Sequence, residues 1–268
     1  MDNKCKAFWR VWFALFVLVV FPRILAAQTP EFPPHAEIPI CPGNDTAVDH
    51  EIHTYEGFTF CYRDSYELSE WVAYELTREE LAAVVGRSNN FAADPSISTG
   101  SALPDDYYRS GFDRGHLAPA ADMRFSQNAM NESFYMSNMS PQTPSLNRGV
   151  WKYLEEAVRL AVWKYDRVLV VSGPVLDRYD FPVIGYSTAV SVPEYYYKVL
   201  TALITDTEGN RGLHMIGFII PNGKPQGVYI DYALTVDEVE ARTGLDFFSA
   251  FPDDIEDAAE CSFNIEYW

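Results

Sequence analysis

The chain has 268 residues, of which 48% are hydrophobic and 15% are aromatic, and it contains 15 glycines and 17 prolines. This composition supplies enough apolar surface for a packed core, so it excludes an intrinsically disordered chain and a collagen, and the single long apolar run excludes a multipass membrane protein. The 20 lysines and arginines against 38 aspartates and glutamates give a formal net charge of -18, so the average surface repels phosphate groups and anionic lipids.

The N-terminal residues follow the order of a secretory signal. Lysines and an arginine precede an unbroken apolar run from Val11 to Phe21, and the small residues Ala26 and Ala27 follow it. This run is too short to span a bilayer comfortably. We therefore expect residues 1–27 to be a cleaved signal peptide and the protein to be exported, to the periplasm or the medium. The alternative is an uncleaved helix that anchors the protein to a membrane.

The segment after the predicted signal contains prolines and the first of three remaining cysteines. Residues 28–54 are expected to be an extended N-terminal arm, because most of this range is rich in proline. An oxidising environment favours one disulfide among Cys41, Cys61 and Cys261. Pairing Cys41 with Cys261 would tie the two ends of the mature chain together, but the sequence does not decide between the pairs.

The remaining residues predict an α+β fold. Alternating patterns predict half-buried strands at 57–63 and 70–76, and the capping box formed by Thr77 and Glu80 predicts a short helix through about Val85. A segment rich in turn-forming residues, 86–112, is expected to lie on the surface. Further patterns predict strands at 133–137, 168–172, 195–205 and 214–220, and helices at 147–164 and 236–242. Because strands and helices do not alternate strictly, an antiparallel sheet is favoured, and residues 55–268 are expected to form a single domain.

His116 has the most informative neighbours of the five histidines. It closes the tetrapeptide Asp113-Arg114-Gly115-His116. The imidazole can accept a proton near neutral pH and the guanidinium of Arg114 can neutralise a phosphate, so this pair suits phosphodiester chemistry. The alternative is a turn held by a structural Asp–Arg pair. The signatures of zincins, α/β-hydrolases, P-loop proteins and dinucleotide-binding proteins are absent from the sequence.

The predicted helix at 147–164 carries a polar stripe. Asn147, Trp151, Glu155 and Arg159 recur at every fourth position, so a neutral oxygen ligand, a carboxylate and a cation share one side of the helix. The alternative is an exposed ion pair between Glu155 and Arg159, which is common and weak. Residues 108–168 carry eight cations and six anions, so the region is locally basic. A narrow basic site can hold phosphate in an acidic protein, because salt screens charges beyond roughly 8 to 10 Å.

Three motifs in this region occur in the order and spacing of a known family. They are Ser110-Gly-Phe-Asp-Arg-Gly-His-Leu-Ala-Pro-Ala-Ala-Asp122, Phe134-Tyr-Met-Ser-Asn-Met-Ser-Pro-Gln142 and Leu146-Asn-Arg-Gly-Val-Trp151. Together they resemble the DNA/RNA non-specific endonucleases, which include mitochondrial endonuclease G and secreted bacterial nucleases. The resemblance covers roughly residues 55–250. It implies a ββα-metal (His-Me finger) fold, in which a central antiparallel sheet is flanked by helices and the metal ligand lies on the helix after the catalytic histidine.

The resemblance assigns a role to each candidate residue by its position. His116 matches the general base that activates water, and Asn147 matches the single protein ligand of a catalytic Mg²⁺, for which Mn²⁺ can substitute. Glu155 matches the residue that holds water of that ion. The other matches are cations and a supporting amide: Arg114 and Arg159 at the scissile phosphate, Arg87 as an upstream phosphate contact, and Asn138 as the asparagine that supports the site by hydrogen bonding.

The implied enzyme contacts DNA and RNA through the phosphate backbone and leaves 5′-phosphate ends. It has no stable membrane partner if the signal is cleaved. The sequence does not decide whether the protein forms a homodimer. Two alternatives remain at this stage. The chain could be a non-catalytic nucleic-acid-binding module, or a phosphodiesterase restricted to one substrate.

Overall fold

A computed structural model describes residues 31–40 and 49–268. The predicted signal peptide and Cys41 lie outside the described residues, so the signal peptide and the disulfide pairing stay predictions. Cys261 is exposed, and its Sγ lies 3.6 Å from the carbonyl oxygen of Ala258. A search of the described part of the chain finds no helix with the length and apolar character needed to cross a membrane.

An antiparallel sheet forms the centre of the fold. The strands are β1 (His50–Thr54), β2 (Thr59–Arg63), β3 (Leu68–Thr77), β4 (Asp113–His116), β5 (Met139–Gln142), β6 (Arg167–Pro174), β7 (Val183–Ile184), β8 (Val190–Ser191), β9 (Tyr195–Thr205), β10 (Arg211–Pro221) and β11 (Ala233–Leu234). Seven of them make one sheet in the order β1-β2-β3-β6-β9-β10-β11, with all neighbours antiparallel. The strands β4 and β5 form a separate pair, as do β7 and β8.

Helices cover both faces of this sheet. They are α1 (Gln127–Glu132), α2 (Trp151–Tyr165), α3 (Val236–Thr243) and α4 (Asp253–Glu260), and a π-helical turn, Leu146–Val150, leads into α2. Single 3-10 turns lie at Pro104–Tyr107, Met136–Asn138, Tyr229–Tyr232 and Ile265–Tyr267. The apolar side of α2 packs on one face, where Leu154 and Val158 meet Leu200 of β9 in one core cluster, while α3 and α4 cover the other face around Val199. The predicted α+β class, with helices flanking a central antiparallel sheet, is confirmed.

Elements with strong local signals form where the sequence predicts them. The strand predicted at 195–205 is β9, and the one predicted at 214–220 lies within β10. In α3, the hydroxyl of Thr235 accepts a hydrogen bond from the backbone N–H of Glu238, and Gly244 closes the helix at φ 74°. A left-handed residue of this kind favours glycine, so both ends of α3 are specified locally.

Two predicted elements are wrong. The capping box at Thr77 and Glu80 forms, but only turns follow it, because the N–H groups of Val84 and Val85 both bond to the carbonyl oxygen of Arg124. The strand predicted at 133–137 is also absent, since these residues end α1 and enter a 3-10 turn before β5. In both places long-range packing overrides the local pattern.

The structure also changes the expectation for two irregular segments. The last residues of the expected N-terminal arm form β1, which pairs with β2 at the edge of the sheet, and Ile40 pairs with Asp246. The segment 86–112 is not wholly on the surface, because it buries polar side chains such as Asp94 and Asp106. Asp106 accepts hydrogen bonds from four backbone N–H groups, which satisfies its carboxylate inside the protein.

A cluster of carboxylates lies between α3 and α4. Ligand oxygens of Asp237, Glu240 and Glu260 lie within 4.8 Å of one another. Burial and neighbouring carboxylates raise the pKa of Glu240 and of Glu256 to about 7, and they raise the pKa of Glu260 as well. The folded protein therefore binds more protons at these carboxyl groups than the unfolded chain does. Their contribution to the free energy of unfolding is complete below about pH 4.5 and is lost as the pH rises through 7 to 8.

We expect Glu260→Gln to raise the midpoint of thermal unfolding by about 2 to 4 °C at pH 8 and to have little effect at pH 5. The substitution removes a charge that repels its neighbours only when it is ionised. Calorimetry at both pH values measures the effect, with Asp254→Asn as the matched loss of an exposed carboxylate from the same helix. An equal effect of Glu260→Gln at pH 5 and pH 8 would contradict the electrostatic explanation.

Candidate active site

The strands β4 and β5 and the π-helical turn before α2 place His116 and Asn147 on one cleft. His116 is the last residue of β4 and pairs with Met139 of β5. Gly115 is required beside it, because a Cβ at this position would lie 2.3 Å from the side chain of Gln142. The chain therefore passes close to β5 before it turns into the loop after His116.

The side chain of Asn138 holds that loop by hydrogen bonds to its backbone. Its side chain is fully buried, and its Oδ1 accepts a hydrogen bond from the N–H of Ala118 at 2.8 Å. Its Nδ2 donates to the carbonyl oxygens of Ala118 and Ser133, both at 2.9 Å. All these bonds go to backbone, so the amide holds the chain two residues after His116 and does not face the cleft. The family resemblance implies a supporting role of this kind for Asn138, and its part in catalysis stays a prediction.

The imidazole of His116 lies in an apolar setting. Its ring centroid is 5.0 Å from that of Phe134 and 6.0 Å from that of Phe91, and the residue is only 8% exposed. Burial, with a smaller contribution from the charge of Arg87, lowers the pKa of His116 to about 3. The imidazole is therefore neutral at physiological pH, as a general base must be. Its Nε2 is buried and has no hydrogen-bond partner among the described residues.

The carboxamide of Asn147 is oriented by Asp113. Its Nδ2 donates to Asp113 Oδ2 at 3.0 Å, which leaves its Oδ1 available to a ligand. Arg148 donates to both carboxylate oxygens of Asp113, at 2.8 and 2.6 Å, and so holds the carboxylate in place. Asn147 lies in the π-helical turn and not in a regular helix, and Gly149 in that turn has non-helical φ and ψ of -111° and -113°. Such turns are frequent at functional sites because they redirect a side chain.

These groups line a cavity of about 260 Å³. Its wall contains His116, Asn147 and Glu155, and the remaining lining residues are small apart from four cations. These cations are Arg87, Arg114, Arg148 and Lys152. Arg114 stacks on Phe91, with its guanidinium carbon 4.2 Å from the ring centroid, and Arg87 stacks on Phe134 at 4.9 Å. The cavity is therefore strongly basic although the protein carries a formal net charge of -18, and it suits an anionic ligand such as a phosphodiester.

Arg159 lies away from the cavity wall. Its Nη1 donates to the carboxylate of Asp122 at 2.8 Å, and Asp122 is fully buried and also accepts from the hydroxyl of Tyr74 at 2.9 Å. The family resemblance places Arg159 among the cations at the scissile phosphate, whereas the structure bonds its Nη1 to Asp122 and leaves it off the cavity wall. The partner that holds Arg159 comes from the loop after β4, which the pattern of the predicted helix cannot indicate.

The structure buries two charged residues, Asp122 and Lys198, that the sequence did not single out. Asp122 lies within the first family motif, but nothing in its local pattern distinguishes it. Lys198 is fully buried in β9. A single lysine within the apolar strand pattern of 195–205 is the signal that could have identified it, because a buried ammonium group requires a counter-ion.

A histidine base and a carboxamide oxygen ligand, supplied by two paired strands and the following helix, define the ββα-metal class of nucleases. The profile of the family described as DNA/RNA non-specific endonuclease matches residues 40–254 of this chain. The chain therefore belongs to that family, whose members hydrolyse nucleic acids.

Individual relatives support this assignment. The chain is 33% identical to the mitochondrial nuclease of Saccharomyces cerevisiae over 225 residues, which cover 76% of this chain and 67% of the yeast protein. It is 31% identical to the nuclease of Serratia marcescens, with 81% of each chain covered. The chain spans as little as 57% of other relatives, such as the mouse mitochondrial nuclease EXOG. In structure the chain is similar to a chain of the crystal structure of the EndoG/EndoGI complex, which concerns the mechanism of EndoG inhibition. The TM-score is 0.68 at 31% sequence identity, and the match covers 76% of this chain and 88% of that chain.

Proposed function

We propose that this protein is an exported, Mg²⁺-dependent endonuclease that hydrolyses phosphodiester bonds of both DNA and RNA and leaves 5′-phosphate ends. The observation that carries this proposal is the convergence of His116 and Asn147 on one basic cavity of about 260 Å³. A neutral base and an oxygen ligand that face the same anion-binding space are the two groups that metal-assisted phosphodiester hydrolysis requires.

The donor groups of the cavity fit a hard cation. Asn147 offers a neutral oxygen whose orientation is fixed by Asp113, and Glu155 offers a carboxylate on the same wall. Mg²⁺ prefers oxygen ligands and keeps several waters, so one carboxamide oxygen is a sufficient protein ligand when substrate oxygens complete the shell, and Mn²⁺ could substitute. When bound, the ion would stabilise negative charge on the phosphate and on the departing 3′ oxygen.

His116 acts as the general base in the proposed reaction. Its neutral imidazole takes a proton from the attacking water, and the hydrogen-bonded frame of Asn138 keeps the ring aimed at the cavity. A pKa of about 3 makes the free imidazole a weak base. The negative charge of a bound phosphodiester opposes the charge of Arg87, which is the smaller of the two causes of the low pKa, while burial stays the larger cause.

Four cations hold the substrate. Arg87 and Arg114 are stacked on aromatic rings, which fixes their guanidinium groups. The Nε of Arg87 also donates to Asn89 Oδ1 at 2.8 Å, and the remaining N–H donors of both arginines are available to phosphate oxygens. We propose that Arg159 acts indirectly, as an ionic neighbour of Glu155, while Glu155 holds water at the reacting centre. Contacts of this kind go to phosphate and not to base edges, so both DNA and RNA are expected substrates with little sequence preference.

The proposed location and assembly follow from the sequence and the family. Residues 1–27 are proposed as the signal that exports the protein, to the periplasm or the medium, and an uncleaved anchor is the alternative. Several relatives are named as mitochondrial, so cell fractionation with an antibody is the appropriate test. A homodimer is a further proposal, and light scattering of the purified protein tests it.

The test of the proposed activity is digestion of supercoiled plasmid and of RNA by the purified mature chain. With millimolar Mg²⁺ both substrates should be degraded, the new ends should carry 5′-phosphate, and excess EDTA should abolish cleavage. Cleavage should also weaken steeply with salt, since phosphate contacts release counterions. Binding in EDTA with no turnover under any metal would instead indicate a non-catalytic module. Cleavage of only one substrate would indicate a restricted phosphodiesterase.

A further inference from the structure

Three side chains that can bind a metal meet at the edge of the sheet formed by β1, β2 and β3. They are His50 of β1, Cys61 of β2 and Glu70 of β3, and one ligand atom from each lies within 4.8 Å of the others. Cys61 is fully buried, and the side chains of His50 and Glu70 are each 13% exposed. None of the three lines the catalytic cavity, so this group is separate from the site described above.

The pairing of β1 with β2 places His50 and Cys61 on one face of the sheet. Cys61 lies opposite Ile52. Successive side chains of a strand point to opposite faces, so His50, two residues before Ile52, points to the same face as Cys61. This is the face covered by α3 and α4, because Cys61 belongs to the core cluster that contains Val239 of α3 and Ala259 of α4.

A β-bulge brings Glu70 to the same face. In the pairing of β2 with β3, Cys61 lies opposite Trp71. The next pair skips Glu70 and joins Tyr62 to Ser69. Regular alternation would send Glu70 to the face opposite that of Trp71, but the extra residue of a bulge changes the direction of its side chain. Bulges of this kind are frequent next to functional sites.

The imidazole of His50 and the carboxylate of Glu70 approach each other without forming a hydrogen bond. Nε2 of His50 lies 3.3 Å from Oε2 of Glu70, yet this buried oxygen has no hydrogen-bond partner in the part of the chain that the structure describes. Two ligands of a tetrahedral zinc ion, with bonds of about 2.0 to 2.1 Å, lie about 3.3 to 3.4 Å apart. The spacing therefore suits two atoms that face a shared cation.

Arg63 and Asp49 supply the other charges around this group. Nη1 of Arg63 donates to Oε1 of Glu70 at 2.7 Å, and its Nε donates to Oδ2 of Asp49 at 2.8 Å. The first bond uses the other carboxylate oxygen of Glu70 and orients Oε2, as hydrogen bonds to ligating carboxylates do. One cation and two carboxylates leave an excess of one negative charge. A divalent ion bound to the thiolate of Cys61 would balance it, which lowers the cost of burying these charges.

We propose that His50, Cys61 and Glu70 form a zinc-binding site that ties the edge strand β1 to β2 and β3. Thiolate and imidazole ligands favour Zn²⁺ over Mg²⁺, and three protein ligands leave a fourth position for water. Binding displaces the proton of the thiol to solvent and joins the sulfur to the ion. A disulfide of the mature chain, if one forms, then joins Cys41 to Cys261. The site goes beyond the proposed nuclease activity and does not depend on it.

Competition with a chromophoric chelator measures zinc binding by the purified mature chain. We expect one equivalent of Zn²⁺ to bind at this site. Cys61→Ser, His50→Ala and Glu70→Gln should each weaken its binding by at least ~100-fold, more than the 10- to 100-fold loss typical of residues that only support a ligand. Absence of zinc binding by the wild type, or binding that none of the three substitutions changes, would overturn the proposal and leave the group as an ion-paired cluster.

Matched variants control for other zinc ligands. Cys261→Ser removes the exposed cysteine, and His53→Gln removes a histidine of the same strand β1. Both should bind zinc as the wild type does. All measurements are repeated in the Asn147→Ala background, which removes the ligand proposed for Mg²⁺ in the catalytic cavity. Loss of the zinc equivalent in that background would assign the ion to the cavity and overturn the proposal.

Cobalt spectroscopy and thermal unfolding test the ligands without measuring cleavage. Co²⁺ in place of zinc should give the near-ultraviolet charge-transfer band of a cobalt–thiolate bond, and Cys61→Ser should abolish this band. Zinc at a 100-fold excess over its Kd should raise the midpoint of unfolding of the wild type by about 5 °C or more, and that of Cys61→Ser much less. A cobalt spectrum without the thiolate band, or mass spectrometry that finds Cys61 in a disulfide, would refute the site even if the protein is an active nuclease.

Discussion

His116→Ala is expected to reduce cleavage of plasmid DNA by about 10²- to 10⁴-fold at pH 7, the contribution of a positioned general base. The imidazole is the proton acceptor proposed for the attacking water, and Phe91 and Phe134 hold its ring on the cavity wall. Binding of DNA in the absence of metal should change little, because the arginines of the cavity remain. A nicking assay and a filter-binding assay measure the two effects separately.

The control for this substitution is His35→Ala, since the side chain of His35 is 85% exposed. It should leave cleavage unchanged. Stability supplies a second readout. The pKa of His116 is lowered in the folded protein from 6.5 to about 3, so the folded state binds fewer protons, and stability falls as the pH drops below about 6.5. His116→Ala should weaken this acid dependence in urea unfolding, and wild-type nicking by the variant would refute the catalytic role.

Asn147→Ala is expected to reduce cleavage by at least ~100-fold at millimolar Mg²⁺, more than the 10- to 100-fold loss typical of residues that only support a ligand. Asn147 is the proposed protein ligand, and its Oδ1 faces away from the Asp113 bond that fixes the side chain. The variant should also need a higher Mg²⁺ concentration for half-maximal activity. Titration of cleavage with Mg²⁺ measures this change directly.

Asn128→Ala, which removes an exposed asparagine from α1, is the matched control and should leave the Mg²⁺ dependence unchanged. If Asn147→Ala and the wild type respond identically to Mg²⁺ and to EDTA, Asn147 is not the ligand. Circular dichroism of the variant confirms that the π-helical turn and α2 have not unfolded. The two substitutions together test whether base and ligand act on the same phosphodiester.

Local sequence patterns predict the elements that contain their own signals. In α3 the cap at Thr235 and the left-handed Gly244 are both local, and β9 is a long and mostly apolar strand, so these elements form where they are expected. The capping box at Thr77 forms without its helix, because the backbone N–H groups of Val84 and Val85 bond instead to Arg124. The sequence cannot indicate such a partner, which lies about forty residues further along the chain.

The sequence by itself determined the family, the central antiparallel sheet and the candidates His116, Asn147 and Glu155, because residue types and spacings carry that information. Only the tertiary structure decided which charges meet. It bonds Arg159 to the buried Asp122, and it buries Lys198 of β9 beside the hydroxyl of Ser172. The physical reason is that the cost of burying a charge depends on its neighbours in space, and those neighbours come from distant parts of the chain.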